Sequence, residues 1–369
     1  MSDLFIGEIL VSFLLVPVLL RPFVRVLQQV EGLSALPAVA LLLCACVVAG
    51  LGLSISFLPL FVCTILICVA ESARFARFCR RLPTDWYPPA SLVLHAALLV
   101  MFVLVIGVSV AFAPEGAYIP EGNIEAREES RSFSSGARAR MRVLVPAEKR
   151  IGAPVVVLVS DPSGDLHGRE TAAWVLATEG YTVVSGRFTS LYDYRHPALA
   201  LPHARSFLAR AGAILGGHPL LTDEDETREA KRREIGRLVG FVKAEFPSGT
   251  PLYAVADGSG GAALASFIAA TPDVFDGVAV TQRPVDPVQA GFLLLDPESG
   301  TMPENSGDFR FVAFAGRDES LLHLGEIAAD DPLAARLLGG QRDSGRRSGE
   351  RLARRVATWL AARRSHDGA

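Results

Sequence analysis

The stretch that decides the fold of this chain reads Leu252-Tyr-Ala-Val-Ala-Asp-Gly-Ser-Gly-Gly-Ala-Ala-Leu-Ala265. Its first five residues are mostly apolar and predict a short buried strand, whereas its alanine-rich end predicts a helix. The small and polar residues between them predict a tight turn, because glycine allows backbone segments to approach closely. In a parallel sheet such a turn lies at the carboxyl edge, where α/β proteins place their sites. The turn residues are therefore the first candidates for function.

The composition indicates a membrane protein with one sizeable soluble domain. Of its 369 residues 50% are hydrophobic, and the mean hydropathy of +0.34 favours membrane spans. The net charge of −3 gives no indication of a nucleic-acid partner. The five cysteines lack metal-ligand spacing and no phosphate-loop motif occurs, so no metal or other cofactor is expected. Only three of the 36 basic residues are lysines, which indicates a GC-rich, bacterial source.

Apolar runs in residues 1–113 predict about four transmembrane helices. The runs cover residues 4–20, 36–70 and 91–113. The second run would be about 50 Å long as one helix, whereas the hydrocarbon core of a bilayer is about 30 Å thick. Glycine, serine and proline residues between Gly50 and Pro59 break it into a hairpin of two short spans.

Arginines indicate the orientation of these spans. Arg21 and Arg25 follow the first span, and four arginines between residues 74 and 81 precede the fourth. With four spans both groups lie on one side, which the positive-inside rule makes cytoplasmic. We therefore expect a multi-pass protein of the cytoplasmic membrane with an extracytoplasmic soluble domain; three spans would reverse the side. His95 is a candidate for an intramembrane functional group, but the simpler interpretation is that it reaches the interface, and Glu71 is interpreted as an interfacial residue beside the arginines.

The rest of the chain divides into a linker and an α/β domain. Residues 114–139 are rich in charged and small residues and predict a tether. Residues 140–369 alternate strands and helices, which predicts a doubly wound, mostly parallel sheet. The charged run 223–233 opens one of the helices and is interpreted as a solvated face. The predicted strands are 141–145, 154–160, 181–187, 252–256, 275–281 and 309–315, and the predicted helices are 168–179, 204–215, 222–246, 261–270 and 350–364.

Several stretches of residues 140–369 resemble the α/β-hydrolase superfamily, near its dienelactone-hydrolase and esterase branches. Val155-Val-Val-Leu-Val-Ser-Asp-Pro-Ser-Gly164 is similar to the strand and loop that carry the oxyanion hole. Residues 172–187 resemble the helix and strand that follow, and residues 252–265 resemble the elbow that holds the nucleophile. Val312-Ala-Phe-Ala-Gly-Arg-Asp318 resembles the strand whose end holds the triad acid. The resemblance does not extend to the membrane segment.

The elbow of this family reads small-x-Ser-x-Gly-Gly, and the present sequence can be aligned with it in three registers. Matching the paired glycines puts the nucleophile position on Gly258, which has no reactive side chain. A shift by one residue seats Ser259 as the nucleophile but puts Asp257 where a small residue is needed. The opposite shift makes Asp257 the nucleophile and puts Val255 at the small position. The first register fits the strand length and the glycines best.

The other catalytic roles that the resemblance implies are incomplete. Asp318 matches the acid, although an aspartate in a surface turn would read the same way. The family's histidine position falls on Arg342 or Asp343, and a serine without an imidazole base is a poor nucleophile. At the oxyanion position Pro162 has no N–H to donate, which leaves Ser163 as the substitute. Loop histidines that could replace the base are His167, His196, His203 and His323.

The sequence thus predicts a membrane-anchored α/β-hydrolase-like protein that has lost its triad and acts by binding or scaffolding, so it is not expected to be an enzyme. One alternative is an active serine esterase or lipase-like hydrolase that uses Ser259, Asp318 and a loop histidine. A second alternative is an interaction subunit of a membrane complex. The expected partners are the lipid bilayer, an ester or lipid-like ligand and a membrane-protein partner.

Overall fold

The chain forms two compact units in a computed structural model. The first unit consists of Met1–Gly116 and Asp331–Ala334, and the second of Ala117–Asp330 and Ala335–Ala369. The residues that the structure describes are 3–83, 86–113, 123–146, 153–159, 170–190, 193–216, 224–256, 259–280, 293–295, 308–314, 331–337 and 345–367.

Apolar helices make up most of the first unit. Within the described residues, four helical stretches are long and apolar enough to cross a membrane, which agrees with the predicted number of spans. Pro37, Pro59 and Pro89 lie in the first turn of the last three; proline is suited to that position, since the first N–H groups of a helix have no intrahelical partner. The helices are α1 (Asp3–Leu20), a short α2 (Arg25–Gln28), α3 (Leu36–Leu51, preceded by a 3-10 turn, Glu31–Ala35), α4 (Leu58–Cys79) and α5 (Pro89–Ala111).

Side chains of the first unit separate into an inner and an outer apolar set. Leu15, Leu60 and Phe102 are buried between the helices, whereas Phe13 and Val100 are largely exposed. An apolar outer surface is what the hydrocarbon of a bilayer requires of a spanning helix. At Gly7 an added Cβ would lie 2.9 Å from Cγ2 of Val47, so α1 and α3 approach closely at this small residue.

An eight-stranded mixed sheet with helices on both faces forms the second unit. The strand order is β1-β2-β4-β3-β5-β6-β8-β7; β1–β2 and β2–β4 pair antiparallel and the remaining pairs are parallel. The predicted doubly wound, mostly parallel sheet is therefore confirmed. The strands are β1 (Ile124–Ser132), β2 (Arg138–Pro146), β3 (Val155–Val159), β4 (Thr182–Thr189), β5 (Leu252–Ala256), β6 (Gly277–Val280), β7 (Leu293–Leu295) and β8 (Phe311–Phe314). The helices are α6 (Glu170–Thr178), α7 (Pro202–Gly216), α8 (Glu224–Glu245), α9 (Ser259–Ala270) and α11 (Gly345–Asp367), with a 3-10 turn at Pro197–Ala200. Between α9 and α11 lies α10 (Pro332–Leu337), whose first three residues belong to the first unit.

Alternate residues of the central strands fill two separate cores. Val156 and Leu158 of β3 face α6 and α11, where Trp359 is fully buried. Val155 and Val157 face α8 and α9 on the other side of the sheet. Because successive side chains of a strand point to opposite faces, a strand buried on both sides reads as a continuous apolar run, which is how these strands were predicted.

The structure differs from the sequence-based prediction at β1, which occupies the middle of the predicted linker. Most residues of this strand are exposed, and among the described strands its partner is β2, with Ile124 opposite Pro146 and Ser132 opposite Arg138. An edge strand forms its backbone hydrogen bonds whatever its side chains are, and charged side chains protect it from unwanted pairing. A polar composition therefore does not distinguish this strand from a tether.

Asp331 closes the turn between α3 and α4 in the first unit. Its carboxylate is fully buried and accepts hydrogen bonds from the backbone N–H groups of Ile55 (2.6 Å) and Ser56 (2.9 Å). The hydroxyl of Ser56 donates a third bond at 2.6 Å, and the N–H of Ala334 in the first turn of α10 a fourth at 3.3 Å. One carboxylate thus satisfies donors of two chain segments that are far apart in sequence.

Candidate functional site

The stretch 252–265 folds as the strand–turn–helix that was predicted. β5 lies in the middle of the sheet, with Ala256 at its carboxyl end opposite Val159 of β3 and Val280 of β6. α9 begins at Ser259, so only residues 257–258 separate the strand from the helix. The candidate nucleophiles therefore follow the central strand at the carboxyl edge, where folds of this kind bind ligands.

Gly261 marks the point at which α9 comes closest to the sheet. A Cβ placed on this residue would lie 2.5 Å from Cγ1 of Val280, which is fully buried at the end of β6. Carbon atoms at their optimal separation are about 3.5–4.0 Å apart, so only glycine fits here without a shift of its neighbours. The approach of α9 to β6 thus requires a small residue two positions after Ser259.

Most of the predicted catalytic positions cannot be placed, because they lie outside the described residues, as does the side chain of Ser259. Their assigned roles in catalysis therefore stay predictions. The positions concerned are Asp257, Gly258, Asp318, Arg342, Asp343, Pro162, Ser163, His167 and His323.

The order of the last two strands bears on the missing histidine. β8, which was predicted to precede the acid, lies beside β6, and β7 occupies the edge position beyond it. β7 comes before β8 in the chain, so no described strand follows β8. The resemblance implies that the histidine follows the last strand of the sheet and precedes the final helix. Here the edge strand, β7, comes earlier in the chain than β8, the strand of the predicted acid. The sequence did not predict β7, because three residues are too short for a recognisable pattern.

Two of the loop histidines, His196 and His203, are among the described residues. His196 is exposed. The Nε2 atom of His203, on α7, lies 3.2 Å from Nη1 of Arg187 near the end of β4. Because an arginine only donates, this nitrogen must accept, and its lone pair is engaged. β4 is two strands away from β5, which corresponds to about 10 Å across the sheet.

A buried polar cluster follows β4 at the same edge of the sheet. Asp193 is only 6% exposed and accepts a hydrogen bond from Nη1 of Arg237 at 2.6 Å. It also lies 3.0 Å from Nε of Arg233. Burial opposes ionisation of Asp193, but the hydrogen bond from Arg237 and the positive charges of both arginines outweigh it, so the pKa of Asp193 is lowered. This carboxylate is a charged anchor for α8 rather than a base.

Most described charged side chains of residues 223–233 are exposed or half-exposed, as expected for a solvated face, but Lys231 belongs to the buried cluster. Lys231 and Glu234 are only 4% and 3% exposed and form a 2.7 Å ion pair. Arg205 of α7 donates to the backbone oxygen of Phe188 at 3.2 Å, and its guanidinium lies 4.7 Å from the ring centre of Tyr194. Burial raises the pKa of Tyr194 well above its usual range, so its hydroxyl stays protonated. The buried charges of Arg205, Lys231 and Glu234, which the sequence did not indicate, thus connect α7 and α8 to the end of β4.

Within the part of the chain that the structure describes, no group of three or more histidine, cysteine, aspartate and glutamate side chains is placed to hold a metal ion. The described part of this edge therefore offers the first residues of α9 and a set of ion pairs.

These features define a domain with a mostly parallel sheet that follows a domain of four long apolar helices, as the sequence predicted. Residues 2–111 match the family model described as "TP_0976_N: N-terminal domain". An uncharacterized protein of Treponema pallidum (strain Nichols) is 25% identical over 416 residues, which cover 98% of this chain and 89% of that protein.

Solved structures with a similar fold include α/β-hydrolases. A dienelactone-hydrolase-type protein from Klebsiella pneumoniae subsp. pneumoniae is 13% identical, with a TM-score of 0.39, over 65% of this chain and 99% of that one. A thermostable carboxyl esterase from Bacillus coagulans is 12% identical, with a TM-score of 0.30, over 50% of this chain. The match covers 47% of the esterase, about half of its length. At these identities the similarity concerns the fold alone.

Proposed function

We propose that this protein is a membrane-anchored α/β-hydrolase-like protein whose soluble unit binds a ligand without hydrolysing it. The order of strands β7 and β8 carries the proposal, because the edge strand precedes the strand of the predicted acid. A sheet arranged in this way lacks, in its described part, the later strand from which the catalytic histidine would follow. Gly258 at the nucleophile position of the best-fitting register points the same way.

The chemistry of a serine hydrolase explains why this matters. A serine hydroxyl needs an imidazole within hydrogen-bond reach to remove its proton as it attacks. His203 lies about two strand spacings from β5, and Arg187 engages its Nε2 atom. The soluble unit is joined in sequence to helices that can span a membrane, so the ligand class that we propose is an ester or lipid-like molecule at the bilayer surface.

One observation favours a second candidate, an esterase that uses Ser259. The family's elbow needs a small residue two positions after the nucleophile, and Gly261 is the residue that a Cβ would drive into Val280. This contact fits the register in which Ser259 is the nucleophile. The two candidates differ in whether Ser259 reacts, which an experiment can decide.

A fluorophosphonate probe applied to the full-length protein in detergent tests the proposal. We expect no labelling of Ser259 and no turnover of p-nitrophenyl butyrate. Ser266→Ala is the matched control for Ser259→Ala, because it removes a hydroxyl from the same helix, α9. Labelling and turnover that survive in Ser266→Ala and vanish in Ser259→Ala would establish the esterase. Thermal stabilisation by a diether lipid, which has no ester to cleave, would support binding.

The proposal also includes the location of the soluble unit, which we place on the extracytoplasmic side of the membrane. Ser134 lies exposed in the turn between β1 and β2, and Cys79 is exposed at the end of α4 beside the arginines. In intact cells, a membrane-impermeant maleimide should label the introduced thiol of Ser134→Cys and not reach Cys79. Labelling of Cys79 alone would place the soluble unit in the cytoplasm.

A further inference from the structure

A histidine and a glutamate form a buried pair between α4 and α5 of the first unit. Nε2 of His95 lies 2.7 Å from Oε1 of Glu71, and the two side chains are 0% and 1% exposed. The sequence did not predict this contact between the two side chains. His95 is six residues after the start of α5, about 9 Å along the helix axis at about 1.5 Å per residue. Burying such groups inside an apolar bundle is costly, which makes them candidates for function.

The hydrogen-bond partners of His95 determine how many protons the pair holds. Nδ1 lies 2.7 Å from the backbone oxygen of Ser91, and a carbonyl oxygen can only accept, so Nδ1 must carry a hydrogen. Nε2 faces a carboxylate oxygen at 2.7 Å, so a second hydrogen must lie between these two atoms. It belongs either to the imidazole, as an imidazolium beside a carboxylate, or to Glu71 as a neutral acid.

The other contacts of Glu71 select the ionised arrangement. The same Oε1 atom lies 3.1 Å from Nη1 of Arg74, which pairs with it as a cation, and it accepts the hydroxyl of Tyr87 at 3.1 Å. Oε1 thus accepts from two groups other than His95, so the shared hydrogen is assigned to Nε2, which donates to the same oxygen. Tyr87 keeps its proton, because burial first and the neighbouring Glu71 charge second raise its pKa to about 12.

Arginine side chains surround the pair at this end of the bundle. The guanidinium of Arg74 lies 3.5 Å from the ring centre of Tyr87, and the Tyr87 ring meets the imidazole edge-on at 5.1 Å between centroids. Arg21, which follows α1 and is 2% exposed, donates to Ser34 at 2.5 Å. Its positive charge also acts on Tyr87. The groups that face the pair are thus Arg74 on α4, Ser91 on α5, Tyr87 between them and Arg21.

We infer that Glu71 and His95 form a proton-binding site of the membrane unit, in which one proton links α4 to α5. When it is bound, an imidazolium donates to the Glu71 carboxylate on one side and to Ser91 on the other. When it leaves as the pH rises, two lone pairs face each other at 2.7 Å and the link is lost. The ligand of this site is the proton, and its binding controls whether α4 and α5 are linked through Glu71 and His95.

Nitrogen NMR of the full-length protein in nanodiscs, with ¹⁵N-labelled histidine, tests this inference. The two ring nitrogens report separately whether each carries a hydrogen. At neutral pH we expect one of the chain's seven imidazoles to be doubly protonated and assigned to His95. In Glu71→Gln the amide group can donate to Nε2, so this imidazolium should be lost and replaced by the neutral form protonated at Nδ1.

Tyr87→Phe is the matched control, because it removes a donor to Glu71 and leaves the carboxylate in place. The imidazolium should persist in this variant with a shifted signal, which also assigns it to His95 if Glu71→Gln does not fold. A neutral His95 in the wild-type protein, in either tautomer, would overturn the inference. So would an imidazolium that is unchanged in Glu71→Gln.

Discussion

Replacement of Gly261 by alanine should destabilise the soluble unit, against the usual preference of helices for alanine. The new Cβ would lie 2.5 Å from Cγ1 of Val280, about 1 Å inside the optimal carbon–carbon separation. Val280 is a β-branched, fully buried residue in the middle of the sheet and has little freedom to move away. Overpacking of this kind typically costs about 1–3 kcal/mol.

Gly240→Ala provides a control with the same chemical change in another helix. Gly240 is exposed in α8, and nothing lies within 4 Å of the position of its added Cβ. This variant should gain about 0.5–1 kcal/mol from the lower backbone entropy of alanine in the unfolded chain. The helix preference is common to both variants, so their difference isolates the steric contact between Gly261 and Val280.

Thermal denaturation of the full-length protein in detergent, monitored by circular dichroism, measures both effects. A loss of about 1 kcal/mol lowers the midpoint of a domain of this size by roughly 2–4 °C, so Gly261→Ala should melt several degrees below Gly240→Ala. The double variant Gly261→Ala, Val280→Ala should show a smaller steric penalty than the sum of its single changes, because the clashing methyl is gone. Equal midpoints for Gly261→Ala and Gly240→Ala would refute the close approach of α9 to β6.

Other predictions concern buried polar and aromatic groups. Asp331→Ala leaves buried donors of Ile55 and Ser56 unsatisfied and should cost at least about 3 kcal/mol; Asp331→Asn, which keeps one acceptor oxygen, should cost less, as SDS-unfolding curves will show. The lowered pKa of Asp193 means that its ionised form adds stability above its ordinary pKa and that this stability is lost as the pH falls through the folded value. Asp193→Asn should therefore flatten the dependence of the melting midpoint on pH in the acid range, and an unchanged slope would count against the anchor. Trp359→Ala removes a fully buried ring and should cost about 3–5 kcal/mol, measured by the same melting curves.

Local patterns were sufficient to predict the spans and most of the sheet. The break between α3 and α4 falls in the Gly50–Pro59 segment because a helix of the whole run would far exceed the membrane thickness. The central strands were recognisable from continuous apolar runs, since both of their faces are covered. β1 escaped prediction because the pairing of an edge strand depends on backbone groups and leaves no apolar pattern.

Pairs that are distant in sequence could not be predicted in this way. Asp331 and Ser56 are 275 positions apart, and His95 and Glu71 are 24 apart on different helices, so no periodicity links them. Each of these residues alone has an ordinary explanation as a turn or interfacial side chain. Only the tertiary fold shows that the carboxylate of each pair receives several donors while excluded from solvent.

The comparison of the two units suggests where experiments on function should begin. At the described carboxyl edge of the sheet, glycine at position 261 is explained by close packing, and the ion pair of Asp193 and Arg237 is explained by the anchoring of α8. The Glu71–His95 pair has no such explanation, because an apolar pair of similar size would hold α4 to α5 without the desolvation of two ionised groups. A buried pair that costs stability and holds a transferable proton is better explained by function than by structure. Experiments on function should therefore address the helical unit as well as the elbow of the second unit.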